Sequence, residues 1–188
     1  MLAAVTELHY GEQTLLGLNL TSARRYPDFA AELTELTGHD LGYRRCGTLA
    51  VALDADDRAH LRELHTLQRQ SGLESEWLSG RECRRLEPML APGVRGGLRV
   101  DGDHQIDPRR LTRALLAACE RAGVVFHRAW AERLRVVRDR AAGHYRNGVL
   151  LTPVTGDAMA HVLTTGELPE VARPFTPGRF LERVEQPA

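Results

Sequence analysis

The chain has 188 residues and carries 25 basic against 25 acidic side chains, with a pI near 7.1. That balance excludes the basic surface of a nucleic-acid binder and an acidic tail. With 43% hydrophobic residues the chain can bury a core, which excludes global disorder and fits one domain, or one domain with an appendage.

All the basic residues are arginine, so a catalytic lysine, a Schiff base and a phosphate-loop lysine are excluded. Cys46, Cys83 and Cys119 are odd in number and form no CxxC pair, which points to free thiols in a reducing, cytoplasmic setting. No run approaches the ~18 apolar residues of a membrane span. The N-terminus has neither the basic region nor the apolar stretch of a signal peptide, and no strand or turn is expected before Gly11.

Residues 12–37 carry a helical apolar pattern stopped by Gly38, with Pro27 in the middle, so two helices or one kinked helix are both open. Residues 43–53 alternate as a strand. Asp54 is placed to cap the next helix, with Asp57 in its first turn, Leu61, Leu64 and Leu67 on one face, and Gly72 ending it. Ser79 and Glu82 have the spacing of a capping box on a short helix that stops before Pro88.

Residues 94–100 read as a strand whose Gly96-Gly97 pair suggests a bulge or a close approach. Asp107-Pro108 starts a helix with apolar Leu111, Ala114, Leu115, Ala118 and Cys119, closed by Gly123. Residues 124–137 read as mainly strand. A chain leaving that strand through Arg138-Asp-Arg140 is expected to return as a partner strand, but it runs straight through Ala141-Ala142-Gly143 into a loop.

That loop is Gly143-His-Tyr-Arg-Asn-Gly-Val-Leu-Leu-Thr-Pro-Val-Thr-Gly156. Gly148 opens an apolar run read as a helix over 148–165, and the proline-rich segment from Pro169 reads as surface coil. A glycine before a helix lets a ligand approach backbone N–H groups where the helix dipole is positive, and Arg146 beside it is a fork for a carboxylate. The residues alone leave two readings open, an anion site or a loop followed by a core helix.

Other chemistries find little support. His60 and His65 are five apart rather than four, and His9, His39, His104, His127 and His161 have no Cys or His partner at ligand spacing, so no metal is expected. No serine lies in G-x-S-x-G. Asp101, Asp103 and Asp107 lack the spacing of a calcium loop and read as a turn followed by an N-cap. Trp77 and Trp130 read as core or half-buried, and no G-x-G-x-x-G follows a strand.

Three stretches together resemble flavin-dependent amine oxidases of the D-amino acid oxidase type, in particular the thiamine-pathway glycine oxidases. They are Trp77-Leu-Ser-Gly-Arg-Glu82 with Leu86-Glu-Pro88, then Gly96-Gly-Leu-Arg-Val-Asp-Gly-Asp-His-Gln-Ile-Asp-Pro-Arg-Arg-Leu111, and the Gly143 to Gly156 loop, which is the most specific. The likeness runs from Met1 to about Phe180 and leaves residues 181–188 unmatched. It implies an α+β fold, a small mostly antiparallel sheet with packed helices, plus a C-terminal helix of the FAD domain. The division implied is a body over 1–142 and a flavin-contacting loop and helix over 143–180.

The resemblance implies FAD as cofactor and oxidation of glycine or another small amine or amino acid to the imine. Oxygen is the second substrate, hydrogen peroxide the by-product, and the imine feeds thiamine thiazole synthesis. Residue by residue, Arg146 would hold the substrate, and His144, Tyr145, Arg146, Asn147, Gly148, Val149, Leu150 and Met1 would line the flavin. No residue is assigned as catalytic, and no metal, nucleic acid or membrane is expected.

The departures imply an incomplete form. Met1-Leu-Ala-Ala resembles the point just after the family's dinucleotide loop, and a further gap is expected at Ala142–Gly143, where a long stretch with a substrate-binding arginine is missing. The 148–165 helix would then pack less surely, its exposed face favouring a homo-oligomer. The alternative is a non-catalytic remnant acting only as a folded or partner-binding module.

Overall fold

The computed structural model describes residues 1–126 and 147–176. Its axis is α1 (Gln13–Thr37), a continuous helix that keeps Pro27 inside it. A proline there removes one N–H from the ladder, a loss of the kind that usually breaks a helix. The helix persists because the residues around it, Tyr26, Ala30 and Leu33, are core residues. Gly38 ends it in the left-handed region at φ 73°, with its N–H donating to the Thr34 carbonyl.

The sheet has three antiparallel strands in the order β1 (Thr48–Ala52), β3 (Gly96–Val100), β2 (Glu76–Leu78). In register, Thr48 faces Val100 and Glu76 faces Arg99 across the central β3. One face receives α2 (Ala55–Gln70), whose Leu61, Leu64 and Leu67 cluster with Ala52 and Leu98. The other receives the short α3 (Gly80–Leu86), with Cys83 against Leu78 and Val94, and Leu49 and Val51 beside them.

The double glycine makes that second contact possible. Gly97 pairs regularly with Val51 and Leu78, so there is no bulge. A Cβ on Gly97 would lie 2.8 Å from both the Ala50 carbonyl oxygen and Cys83 Sγ, so the pair serves a close approach.

The helix starts follow from local capping. Asp54 accepts from the Asp57 N–H, Ser79 and Glu82 complete a reciprocal capping box, and Asp107 caps α4 (Pro108–Arg121) with Pro108 in its first turn. Leu111 and Ala114 of α4 join Tyr26, Ala30, Leu33 and Leu41 in the main core. The result is the α+β architecture expected, completed by α5 (Thr152–Thr165) lying on α1.

Several boundaries differ from the expectation. Regular β1 pairing starts at Thr48 rather than Tyr43; before it, Arg44 makes only an isolated bridge to Gln105. The strand β2 was not anticipated, being too short for a period to register. The segment from Pro169 is not coil throughout, since residues Glu170–Phe175 form a 3-10 turn whose Val171 and Phe175 pack on the α1–α5 contact. Residues 124–126 are not strand. The rest of that expected strand, Trp130, His127 and the Ala142 junction lie outside the described residues.

The N-terminus is the largest correction. Leu2, Ala3, Ala4, Val5 and Leu8 are all buried, Leu2 bridges His104 through two backbone hydrogen bonds, and residues 4–7 form a turn. Long-range polar contacts described below hold it, and none of them is encoded in the local pattern. Among the described residues, no helix is long and apolar enough to cross a membrane.

Candidate functional site

The site builds outward from the face of α1 that carries Ser22 and Tyr26, both with 0% exposure. They lie four apart, so one turn of helix sets their hydroxyls on the same face. Both reach residues 147–151, which form a turn entering α5.

The need for them comes from Pro153. In a regular helix the carbonyl of Val149 would accept from residue 153, but proline has no N–H to give. Tyr26 donates its hydroxyl to that carbonyl at 2.8 Å. The next carbonyl, Leu150, would accept from Val154. Here Ser22 Oγ is interposed: it donates to the Leu150 carbonyl at 2.7 Å and accepts from the Val154 N–H at 3.4 Å. This is why the regular helix begins at Thr152 and not, as expected, at Gly148.

The turn closes through the Leu151 N–H to the Asn147 carbonyl at 2.8 Å and the Thr152 hydroxyl to the Gly148 carbonyl at 3.0 Å. Asn147 sits in the left-handed region at φ 59°, which asparagine tolerates better than other side-chain-bearing residues. The N–H groups of Gly148, Val149 and Leu150 have no hydrogen-bond partner among the described residues.

Tyr26 also begins an aromatic row. Its ring stacks on Tyr43 at 6.0 Å, and the Tyr43 hydroxyl lies 2.7 Å from His104 Nδ1. Burial, with the neighbouring Tyr43, pushes the Tyr26 phenol well above its usual range. Burial likewise raises Tyr43 and lowers His104, where the Arg45 cation adds to the effect and Asp103 opposes it.

The N-terminal segment meets this row at His104. Asp103, with 0% exposure, accepts from the N–H groups of Val5 and Thr6 at 3.0 and 2.9 Å, and from the Thr48 hydroxyl at 3.2 Å. Gln68 Nε2, from α2, donates to the Val5 carbonyl at 3.0 Å. Both backbone groups of Val5 are therefore held by buried side chains. The expected reading of Asp103 as a turn residue understated it, and among the described residues no cluster of metal-ligand type forms.

The expected site residues fall as follows. Met1 is 68% exposed and lines an open cleft of about 330 Å³ with Cys46, Thr48 and His104. Leu150 is buried in the same core cluster as Leu2, and Asn147 and Gly148 are half-buried. Val149 turns outward, with 37% exposure, while its carbonyl is held. His144, Tyr145 and Arg146 lie outside the described residues. A second hollow, on α3 beside Arg81, Arg84 and Arg85, shares no residue with this region.

Ser22, Tyr26 and Gln68 were missed by sequence reasoning. The available signal was polar groups at helical spacing on otherwise apolar faces, Asn19, Ser22 and Tyr26 on α1.

Two ends of the chain thus converge on one helix, in the α+β setting of a small antiparallel sheet. The sequence profile of the FAD dependent oxidoreductase (DAO) family matches residues 3–140, and the chain belongs to that family. It is 34% identical over 107 residues to the hydrogen cyanide synthase subunit HcnC of Pseudomonas aeruginosa, covering 57% of this chain and 26% of that protein. It is 33% identical over 110 residues to the bifunctional protein ThiO/ThiG of Synechocystis, covering 58% of this chain and 15% of that one. The solved glycine oxidase of Geobacillus kaustophilus superposes with a TM-score of 0.64 at 31% identity, covering 67% of this chain and 34% of its own. The chain therefore spans at most about a third of the length of these proteins.

The described residues fit a flavin in part. The 147–151 turn offers backbone N–H groups at a helix start, suited to the electron-rich edge of a ring. The 188 residues contain no G-x-G-x-x-G loop for a pyrophosphate.

Proposed function

We propose that this chain forms the ring-edge and substrate side of an FAD-dependent amine oxidase site. Its substrate is glycine or another small amine or amino acid. The amine loses two electrons and two protons to become the imine, and oxygen takes up both to leave as hydrogen peroxide. The imine is then available for thiamine thiazole synthesis. Family membership and the likeness to proteins named glycine oxidase and ThiO/ThiG support the reading. The observation that carries it is the docking of the 147–151 turn on α1 in the core cluster that holds Leu2.

FAD supplies the redox chemistry, and the chain supplies orientation and electrostatics. Arg146 pairs with the substrate carboxylate. His144, Tyr145, Asn147, Gly148, Val149, Leu150 and Met1 would line the ring, and the turn's N–H groups would supply it with hydrogen-bond donors. Residues 1–142 act as the body and 143–180 as the flavin-contacting piece. Free cysteines fit a cytoplasmic location.

The test is fluorescence quenching of riboflavin and of FAD by the purified chain, with peroxidase-coupled detection of peroxide from glycine. A site that holds the ring and lacks a pyrophosphate loop quenches both with similar, weak affinity. A chain that leaves both flavins unquenched overturns the reading. That outcome would support the second reading, a non-catalytic partner-binding module or homo-oligomer, which the 75% exposure of Leu163 on α5 favours.

A further inference from the structure

We infer that Ser22 and Tyr26 are positioning residues, which cap α5 from α1 and thereby set the direction of the backbone N–H groups in the 147–151 turn. The inference rests on the flavin reading and adds to it the residues that aim the turn.

The residue at the N-cap position of α5 is Leu151, which has no side-chain oxygen to offer. An isolated helix with that sequence would start on an uncapped turn. Ser22 serves as the cap from a helix more than a hundred residues earlier: its hydroxyl accepts the N–H of Val154, the third residue of α5. The same hydroxyl donates to the Leu150 carbonyl, and Tyr26 donates to the Val149 carbonyl, which Pro153 cannot serve and which otherwise receives only the Thr152 N–H at 3.4 Å. A cap supplied from the side does not occupy the space in front of the turn, where a local Ser or Asp side chain would fold back over the N–H groups.

Direction follows from the planarity of the peptide. In a trans peptide the C=O and the N–H it is bonded to point in opposite senses. Holding the Val149 carbonyl against Tyr26 therefore turns the Leu150 N–H away from α1. Neither hydroxyl touches the ligand face, so both act through the turn. Both residues are fully buried; Tyr26 supplies a bond that Pro153 cannot make, and Ser22 is interposed in one that the helix itself would make. If their only purpose were to join α1 to α5, the apolar contact of Leu18 with Leu151 and Val154 would serve as well.

The experiment uses Tyr26→Phe and Ser22→Ala, both close to isosteric, and their combination. Amide hydrogen exchange is read with and without riboflavin. In the variants, exchange at the hydrogen-bonded amides of Leu151, Thr152 and Val154 rises roughly five- to tenfold, the equivalent of one lost hydrogen bond. Amides of α2 keep their protection, and riboflavin affinity falls by a similar factor in each single variant. A uniform rise across α2 and α4 overturns the inference, because it marks a general stabilising role. Local loosening with riboflavin affinity unchanged also overturns it. A wild-type chain blind to riboflavin defeats the flavin reading and this inference together. A wild-type chain that binds riboflavin, with a double variant that binds it equally well, defeats this inference alone.

Discussion

Tyr26 joins three environments at once. Its ring packs edge-on to Phe29 and flat against Tyr43, while its hydroxyl serves a carbonyl of the distant turn. Removing the hydroxyl in Tyr26→Phe leaves the Val149 carbonyl with only the long 3.4 Å bond from the Thr152 N–H and is expected to cost about 1 kcal/mol. The buried phenol holds its proton above the usual value of 10.0. An unfolded chain ionises this tyrosine near pH 10, whereas the folded one does not. The associated stability is thus complete below pH 10 and is lost as pH rises toward the folded value. Urea midpoints across pH 8 to 12 should fall above about pH 10. The fall should be shallower in Tyr26→Phe and still present, because Tyr43 is raised in the same direction. An identical slope in the variant would remove Tyr26 from the account.

At the scale of elements, packing of α3 on the sheet depends on the missing side chain of Gly97. A methyl there meets two fixed neighbours, the Ala50 carbonyl and the fully buried Cys83 sulfur. Gly97→Ala should destabilise the chain by about 2 kcal/mol through overpacking. The variant Gly97→Ala/Cys83→Ala should recover part of that loss, because one of the two clashes is relieved. A wild-type thermal midpoint in the single variant would show that β1 and α3 have room to move apart. The α5 element shows a complementary effect. Its first turn is buried through Leu151, Pro153 and Val154, while Leu163 near its end lies open. The expectation of loose packing therefore holds for the second half of α5 and fails for the first, where α1 provides the partner.

For the whole molecule, Asp103 ties the chain's beginning to the sheet. Its two oxygens accept from consecutive N–H groups of the first segment, and one also accepts from Thr48 of β1. Asp103→Asn puts an amide NH₂ where an acceptor is required, so at least one N–H loses its partner. A loss of roughly 2–4 kcal/mol in urea unfolding is expected. Amides of Val5 and Thr6 should lose protection first. A change within about 0.5 kcal/mol, the scale of an ordinary surface substitution, would show that Gln68 and the Leu2 bridge suffice.

The features determined by the sequence alone are those whose causes lie within a few residues. Asp54 with Asp57, Ser79 with Glu82, and Asp107 with Pro108 each satisfy helix N–H groups from the next turn, so the helix starts are legible without a fold. The leucine face of α2 and the Gly96-Gly97 approach follow from spacing and size in the same way. The 147–150 stretch and Met1 are singled out only by a resemblance in residue order, and both lie outside residues 3–140, over which the family profile matches. Tertiary structure decided the rest. The burial of residues 2–5 depends on Asp103 and Gln68, about a hundred and about sixty residues away. The start of α5 depends on Ser22, 132 positions before the Val154 whose N–H it accepts and which Leu151 cannot cap. Backbone groups must find partners somewhere, and the sequence shows which lack a local one. Which distant side chain supplies it is settled only when the helices pack.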